Sequence, residues 1–289
     1  MTSFTQKFSK PVFGATMRVV TLALFLVVFG ASAALAQTRG YVTNLFNNTV
    51  SVIDPATNTV VATIPVGSRP QSIAVTPNGA FAYTANSSSN NVSVISAATN
   101  TVVATVPVGN VPQGIAITPN GAFAYVTDFS SNNVSVISTA TNTVVATVNV
   151  GNHSIAVAIT PNGAFAYVSL DSNTVAVIAT ATNTVVANVT VGFFPRFLAI
   201  DPTGAFAYVP IFSFASTVSV ISTATNTVVA TPSTGDGDGP IAIAFAVRTH
   251  GPTNKDQCKN GGWQTFTNPS FKNQGQCIKF VNHMDEGIH

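Results

Sequence analysis

The five tyrosines of this chain stand at 41, 83, 125, 167 and 208, one in every 41 or 42 residues. The asparagine of a recurring T-N-T segment keeps step with them, at Asn58, Asn100, Asn142, Asn183 and Asn226. The clearest copy, residues 115–151, reads IAITPNGAFAYVTDFSSNNVSVISTATNTVVATVNVG. A fixed period of this size marks stacked supersecondary units, each unable to bury its apolar surface alone. That repeat constrains the fold more than any other property of the chain.

Each copy contains four strand-like runs parted by turn residues. In the second copy these are Ser72–Val75, Ala80–Ala85, Asn91–Ser96 and Thr101–Val108, here called strands a, b, c and d. Thr76-Pro77-Asn78-Gly79 joins a to b, with Pro setting φ early in the turn and Gly accepting φ > 0 later. Four antiparallel strands in succession form a meander, which is one propeller blade. Pro65 and Pro107 fall in d, and proline cannot donate to a ladder, so d is expected at the outer rim and a at the axis. The run Thr143–Val148 does not alternate, as expected of a sheet covered on both faces.

Composition agrees and removes some functions. Charged residues are 7% of the chain, against a usual share of about 25%. Three of the eleven basic residues lie in the first eighteen positions, leaving eight against nine acidic residues, near −1. Nucleic-acid binding needs clustered Lys and Arg to displace counterions, and no such cluster is present.

Tyr41-Val42-Thr43-Asn44, followed by NTVSVID (Asn48–Asp54) and TNTVVATIPVG (Thr57–Gly67), resembles the YVTN family of β-propeller repeats. The resemblance runs from Arg39 to Val247. It implies an all-β propeller of a kind found in secreted and cell-surface proteins of bacteria and archaea, commonly with seven blades, and implies no catalytic residue. This chain departs in number. It holds one b-c-d set (Arg39–Gly67), four full copies, and a lone strand a at residues 241–247. The orphan a and the orphan b-c-d add up to one blade, so five blades closed by 241–247 are expected. The alternative is six blades with the last one incomplete.

The expected division is a signal peptide over 1–36, the propeller over 37–247 and a small module over 248–289. Lys7, Lys10 and Arg18, the apolar run Val19–Val28 and Ala34-Leu35-Ala36 make an export signal cut after Ala36. Export places the protein in the periplasm, at the cell surface or outside, as a monomer with no remaining membrane span. Cys258 and Cys277, the sole pair, are expected to form a disulfide. Gly261–Phe266 and Gln276–Val281 are expected to pair as a hairpin within it.

Chemistry-bearing residues are few. Asp54, Asp128 and Asp201 replace Ser, Asn or Thr of other copies and are expected to cap turns. No Glu precedes Glu286 and His153 is the sole propeller histidine, so no catalytic, metal or cofactor site is expected. The copies do differ systematically on one side. The a–b and c–d turns hardly vary, whereas the b–c and d–a loops carry Phe46, Arg69, Gln71, Phe129, His153, Phe193, Phe194, Arg196, Phe212 and Phe214. Distinct side chains on a shared scaffold mark that face for binding surface proteins or envelope polymers. Two other functions compete: a lactonase- or hydrolase-like enzyme, and a structural envelope component without a ligand.

Overall fold

A computed structural model describes residues 38–213, 216–235, 239–245, 255–259 and 272–279. The expected export signal, Phe214, Trp263 and the segment Gly261–Phe266 lie outside the described residues.

The repeat folds as five antiparallel meanders. The first has three strands, β1 (Gly40–Asn44), β2 (Thr49–Asp54) and β3 (Thr59–Pro65). The second has β4 (Pro70–Val75), β5 (Phe81–Asn86), β6 (Asn91–Ser96) and β7 (Thr101–Pro107). The third has β8 (Pro112–Ile117), β9 (Phe123–Asp128), β10 (Asn133–Ser138) and β11 (Thr143–Asn149). The fourth has β12 (Ser154–Ile159), β13 (Phe165–Leu170), β14 (Thr174–Ala179) and β15 (Thr184–Thr190). The fifth has β16 (Ala199–Ile200), β17 (Phe206–Ile211), β18 (Thr217–Ser222) and β19 (Thr227–Ala230). The inner strands pack in chain order, β1 on β4, β4 on β8 and β8 on β12. This is the blade construction of a β-propeller.

Strand d lies at the edge of every sheet, as the prolines required. Its lack of alternation has a different cause from the one expected. Each c–d ladder slips by one residue, for example between Val94 and Ile95, which pair with Ala104 and Val102. Val103 is left unpaired in that bulge and turns outward, 52% exposed, as its equivalents Val145 (53%) and Val186 (52%) do. A bulge on an edge strand also discourages further strand addition.

The apolar packing between neighbouring blades follows one pattern. One blade contributes its tyrosine face, such as Tyr83, Val92, Val94 and Val106, and the next contributes Ala124, Ile137 and Val144. Tyr83, Tyr125 and Tyr167 are fully buried there. At the hub the packing is tighter still. A Cβ on Gly114 would stand 2.8 Å from the Ala156 Cα and from the Ile155 carbonyl oxygen. The Thr127 hydroxyl ties the same strands together, donating to the Ile155 carbonyl at 2.9 Å and accepting from the Gly114 amide at 2.7 Å.

The expected closing strand differs from expectation. β1 pairs only with β2 among the described residues, and 241–245 forms no strand. The Phe197 amide instead donates to the Ile241 carbonyl at 3.1 Å, and the Phe245 ring meets Tyr208 edge-on at 4.9 Å. In blades three and four the equivalent amides of Gly114 and Ala156 donate to the Thr127 and Ser169 hydroxyls, whereas blade five has Pro210 at that position, which leaves the Phe197 amide for Ile241. Residues 241–245 thus stand where the inner strand of a following blade would stand.

In the C-terminal segment Cys258 and Cys277 are disulfide-bonded, with Cα atoms 5.6 Å apart. Of the expected hairpin, the described part of its second half is helical, within 274–279, rather than extended. Asn273 and Gln276 cap that turn from both sides. The Asn273 Oδ1 accepts from the Gln276 amide at 3.0 Å, and the Gln276 Oε1 accepts from the Lys272 amide at 2.8 Å.

Candidate functional site

Four d–a loops hold one non-glycine residue each in the left-handed region: Arg69 (φ 55°), Val111 (φ 54°), His153 (φ 47°) and Phe194 (φ 59°). None is glycine, and for β-branched Val111 this backbone is a genuine outlier that costs about 1–3 kcal/mol. What holds it is the preceding blade. The amides of Arg69, Val111 and His153 donate to the side-chain oxygens of Asn48, Asn90 and Asn132 at 2.8, 3.0 and 2.8 Å. Each of those asparagines sits just before strand c and is itself left-handed. In the fourth loop Phe194 donates to the Ser172 carbonyl at 2.9 Å instead. One rigid loop design therefore presents a cation, an aliphatic group, an imidazole and a phenyl ring on one face.

The other expected residues gather around these positions. His153 stacks on Phe129 with ring centroids 4.5 Å apart and planes 7° from parallel. The Arg196 guanidinium lies over the Phe212 ring, 5.1 Å from its centroid, and the Phe212 amide donates to the Phe194 carbonyl at 3.0 Å. Phe193, Phe194, Arg196 and Phe212 thus form one patch on the fifth blade. Phe46, 84% exposed, shares its loop with Asn48 and so stands beside Arg69. Gln71 is exposed on β4, where its carbonyl accepts from the Thr43 hydroxyl at 3.3 Å. Sequence reasoning left out Val111 as a site residue, although its place in the repeat matched that of Arg69 and His153. Phe197, 46% exposed, was also missed.

The three aspartates separate. Asp54 caps its turn through the Ala56 amide at 2.9 Å, and Asp201 caps its own through the Phe206 amide at 3.1 Å. Asp128 does not cap. It is fully buried where strand b of blade three meets Gly109, makes no cap bond to the 3-10 turn that follows it, and accepts from the Ser135 hydroxyl at 2.6 Å. Burial raises its carboxyl to about 6, against the Ser135 and Gly109 donors that favour the charge. The expectation of turn chemistry fails here because the neighbouring blade covers the loop end. No group of three or more His, Cys, Asp or Glu among the described residues is placed to hold a metal ion.

On the opposite face, clefts of about 240 and 310 Å³ lie between consecutive a–b turns. Thr118, Pro119, Asn120 and Phe123 line one, and the equivalent Thr76, Pro77, Asn78 and Phe81 line the other. Their repetition makes them a by-product of the turn geometry. Among the described residues no helix is long and apolar enough to cross a membrane.

Residues 36–147 match the family model of the seven-bladed β-propeller lactonases. Among solved structures the chain is similar to the hydrazine synthase of Kuenenia stuttgartiensis, with a TM-score of 0.59 and 27% identity over 63% of this chain and 59% of that one. A curated relative, the PE-PGRS family protein PE_PGRS18 of Mycobacterium tuberculosis, is 60% identical over 37 residues, which are 13% of this chain and 8% of that protein. The chain therefore spans under two thirds of each. Sheet order, interface construction and the first two matches agree on a β-propeller.

Proposed function

We propose that this is an exported, non-enzymatic β-propeller of the YVTN repeat type that binds surface proteins or envelope polymers through its b–c/d–a face. One observation carries the reading: Arg69, Val111, His153 and Phe194 share a strained backbone while differing in every chemical property of the side chain. Strain is retained where the side chain it aims is useful, and loop positions on a rigid scaffold are where recognition is commonly placed. The exposed phenyl rings beside them supply apolar contact area. The disulfide suits an oxidising compartment, as the expected export signal does.

The test compares the mature protein with a variant carrying glycine at all four positions, which keeps the left-handed backbone. Retention on purified envelope polymer and on displayed surface proteins is measured for both. Retention by the parent and loss in the variant supports the reading; equal retention, or none by either, sinks it.

A second reading, lactone hydrolysis, is favoured by the lactonase match over 36–147, a span that includes the buried acid Asp128. Turnover of small lactones that Asp128→Asn abolishes would put this reading in place of the first.

A further inference from the structure

Each interface inside the chain joins a tyrosine face to a face bearing Ala, Ile and Val: Ala82, Ile95 and Val102 in blade two, Ala207, Ile221 and Val228 in blade five. The same positions of blade one are Gly40, Ile53 and Val60, and among the described residues no tyrosine face covers them. Val60 is 58% exposed and its neighbour Val42 is 45% exposed. Asn58 belongs to this face. Its backbone (φ 54°) matches that of Asn142 (φ 53°), which receives a tyrosine hydroxyl, yet Asn58 is exposed where its four equivalents are half-buried.

The fifth blade shows the complementary lack. Tyr208 is half-buried, whereas Tyr83, Tyr125 and Tyr167 are fully buried, and among the described residues no asparagine meets its hydroxyl. Residues 241–245 already sit against this blade in the place of an inner strand, without a sheet, while β1-β2-β3 is a sheet without strand a.

We propose that these ends complete each other between two copies of the chain. The last blade and residues 241–245 of one copy dock on the first blade of a second, so that one four-stranded blade is shared and Tyr208 of the first copy reaches Asn58 of the second. Among the described residues the halves do not complete each other within one copy, since Asn58 is exposed and β1 pairs only with β2. The occupant is recognisable because the chain contains the same interface four times over. Pro240-Ile241-Ala242-Ile243-Ala244-Phe245 aligns with Pro112-Gln113-Gly114-Ile115-Ala116-Ile117, whose residues Ile115, Ala116 and Ile117 face Val126, Tyr125 and Ala124. The transferred register sets Ile243 against Val42, Ala244 against Tyr41 and Phe245 against Gly40. Such a contact is heterologous, so copies add head to tail until the array closes or extends.

Two measurements test this on the full chain. Sedimentation velocity up to about 100 µM, where even a weak specific interface is populated, is expected to show self-association that Val60→Asp removes. Single variants Val42→Cys and Ile243→Cys, mixed and oxidised, are expected to give a covalent dimer, since directly opposed antiparallel positions lie within disulfide reach. A parent that stays monomeric throughout overturns the proposal, as does association unaltered by Val60→Asp. The double variant Val42→Cys/Ile243→Cys is expected to give a ladder of oligomers; a bridge formed wholly within one chain would show ring closure instead and overturn it.

Discussion

Tyr83 donates its hydroxyl hydrogen to the Oδ1 of Asn142, 59 residues away in the next blade, at 2.7 Å. The same bond joins Tyr125 to Asn183 and Tyr167 to Asn226, both at 2.6 Å. Each asparagine does two things. It takes the left-handed turn conformation between strands c and d, and it offers an acceptor to a buried phenol. Burial pushes the Tyr125 and Tyr167 hydroxyls up to about 12, so they remain neutral donors across the physiological range. The first interface is the exception: the Tyr41 hydroxyl and the Asn100 Oδ1 are both buried and unpartnered.

Tyr125→Phe is therefore expected to destabilise the protein by about 1–3 kcal/mol, because it leaves the Asn183 oxygen without its donor. Tyr41→Phe should be close to neutral, since no bond is lost. Urea denaturation of the two variants checks the contrast, and equal losses would contradict it.

Asp128→Asn should stabilise the folded chain at neutral pH. The carboxyl ordinarily titrates near 3.8, and burial raises it to about 6 in the fold. Its contribution is therefore complete below 3.8 and is lost as pH rises through 6, the folded state being the better proton binder in that window. Above it the charged Asp128 costs on the order of 2–3 kcal/mol, which the amide removes. The equivalent Asn86 shows the amide fits, donating to Asn91 at 2.8 Å and Ser93 at 2.9 Å. Melting temperature against pH should fall from 4 to 6 in the parent more steeply than in the variant.

Gly114→Ala should be among the most damaging small changes. The added methyl meets the backbone of β12 at Ile155 and Ala156, so no side-chain rotation relieves it, and a loss of about 3 kcal/mol or more is expected. A variant that melts with the parent would show that the hub strands move apart easily.

Val111→Gly should separate stability from binding. Relief of the left-handed strain is expected to raise stability by about 1 kcal/mol. The same change deletes a side chain from the proposed binding face, so any retention on envelope polymer should fall while the melting temperature rises. Loss of both together would mean that Val111 serves packing.

Part of the candidate site is legible in the sequence alone. Comparing copies located the variable face, and Phe129 with His153, or Arg196 with Phe212, were marked separately and prove to be neighbours. That neighbourhood was not readable, since each pair spans a b–c loop and a d–a loop brought together by the two strands that lie between them in the chain. Asp128 was misjudged for a related reason. At the end of a strand its residue type signals a cap, and only the blade packed over it shows that the carboxyl is buried.

The order of strands, the rim position of d, the turn at Thr76-Pro77-Asn78-Gly79 and the cysteine pair all followed from the sequence, because each rests on local backbone preference or on a short repeat. The partners of Tyr83, Tyr125 and Tyr167, the bulge that turns Val103 outward, the strain at Val111 and the docking of 241–245 against blade five were decided by the tertiary structure. These depend on which faces of distant segments meet, and the same local pattern is compatible with more than one such meeting.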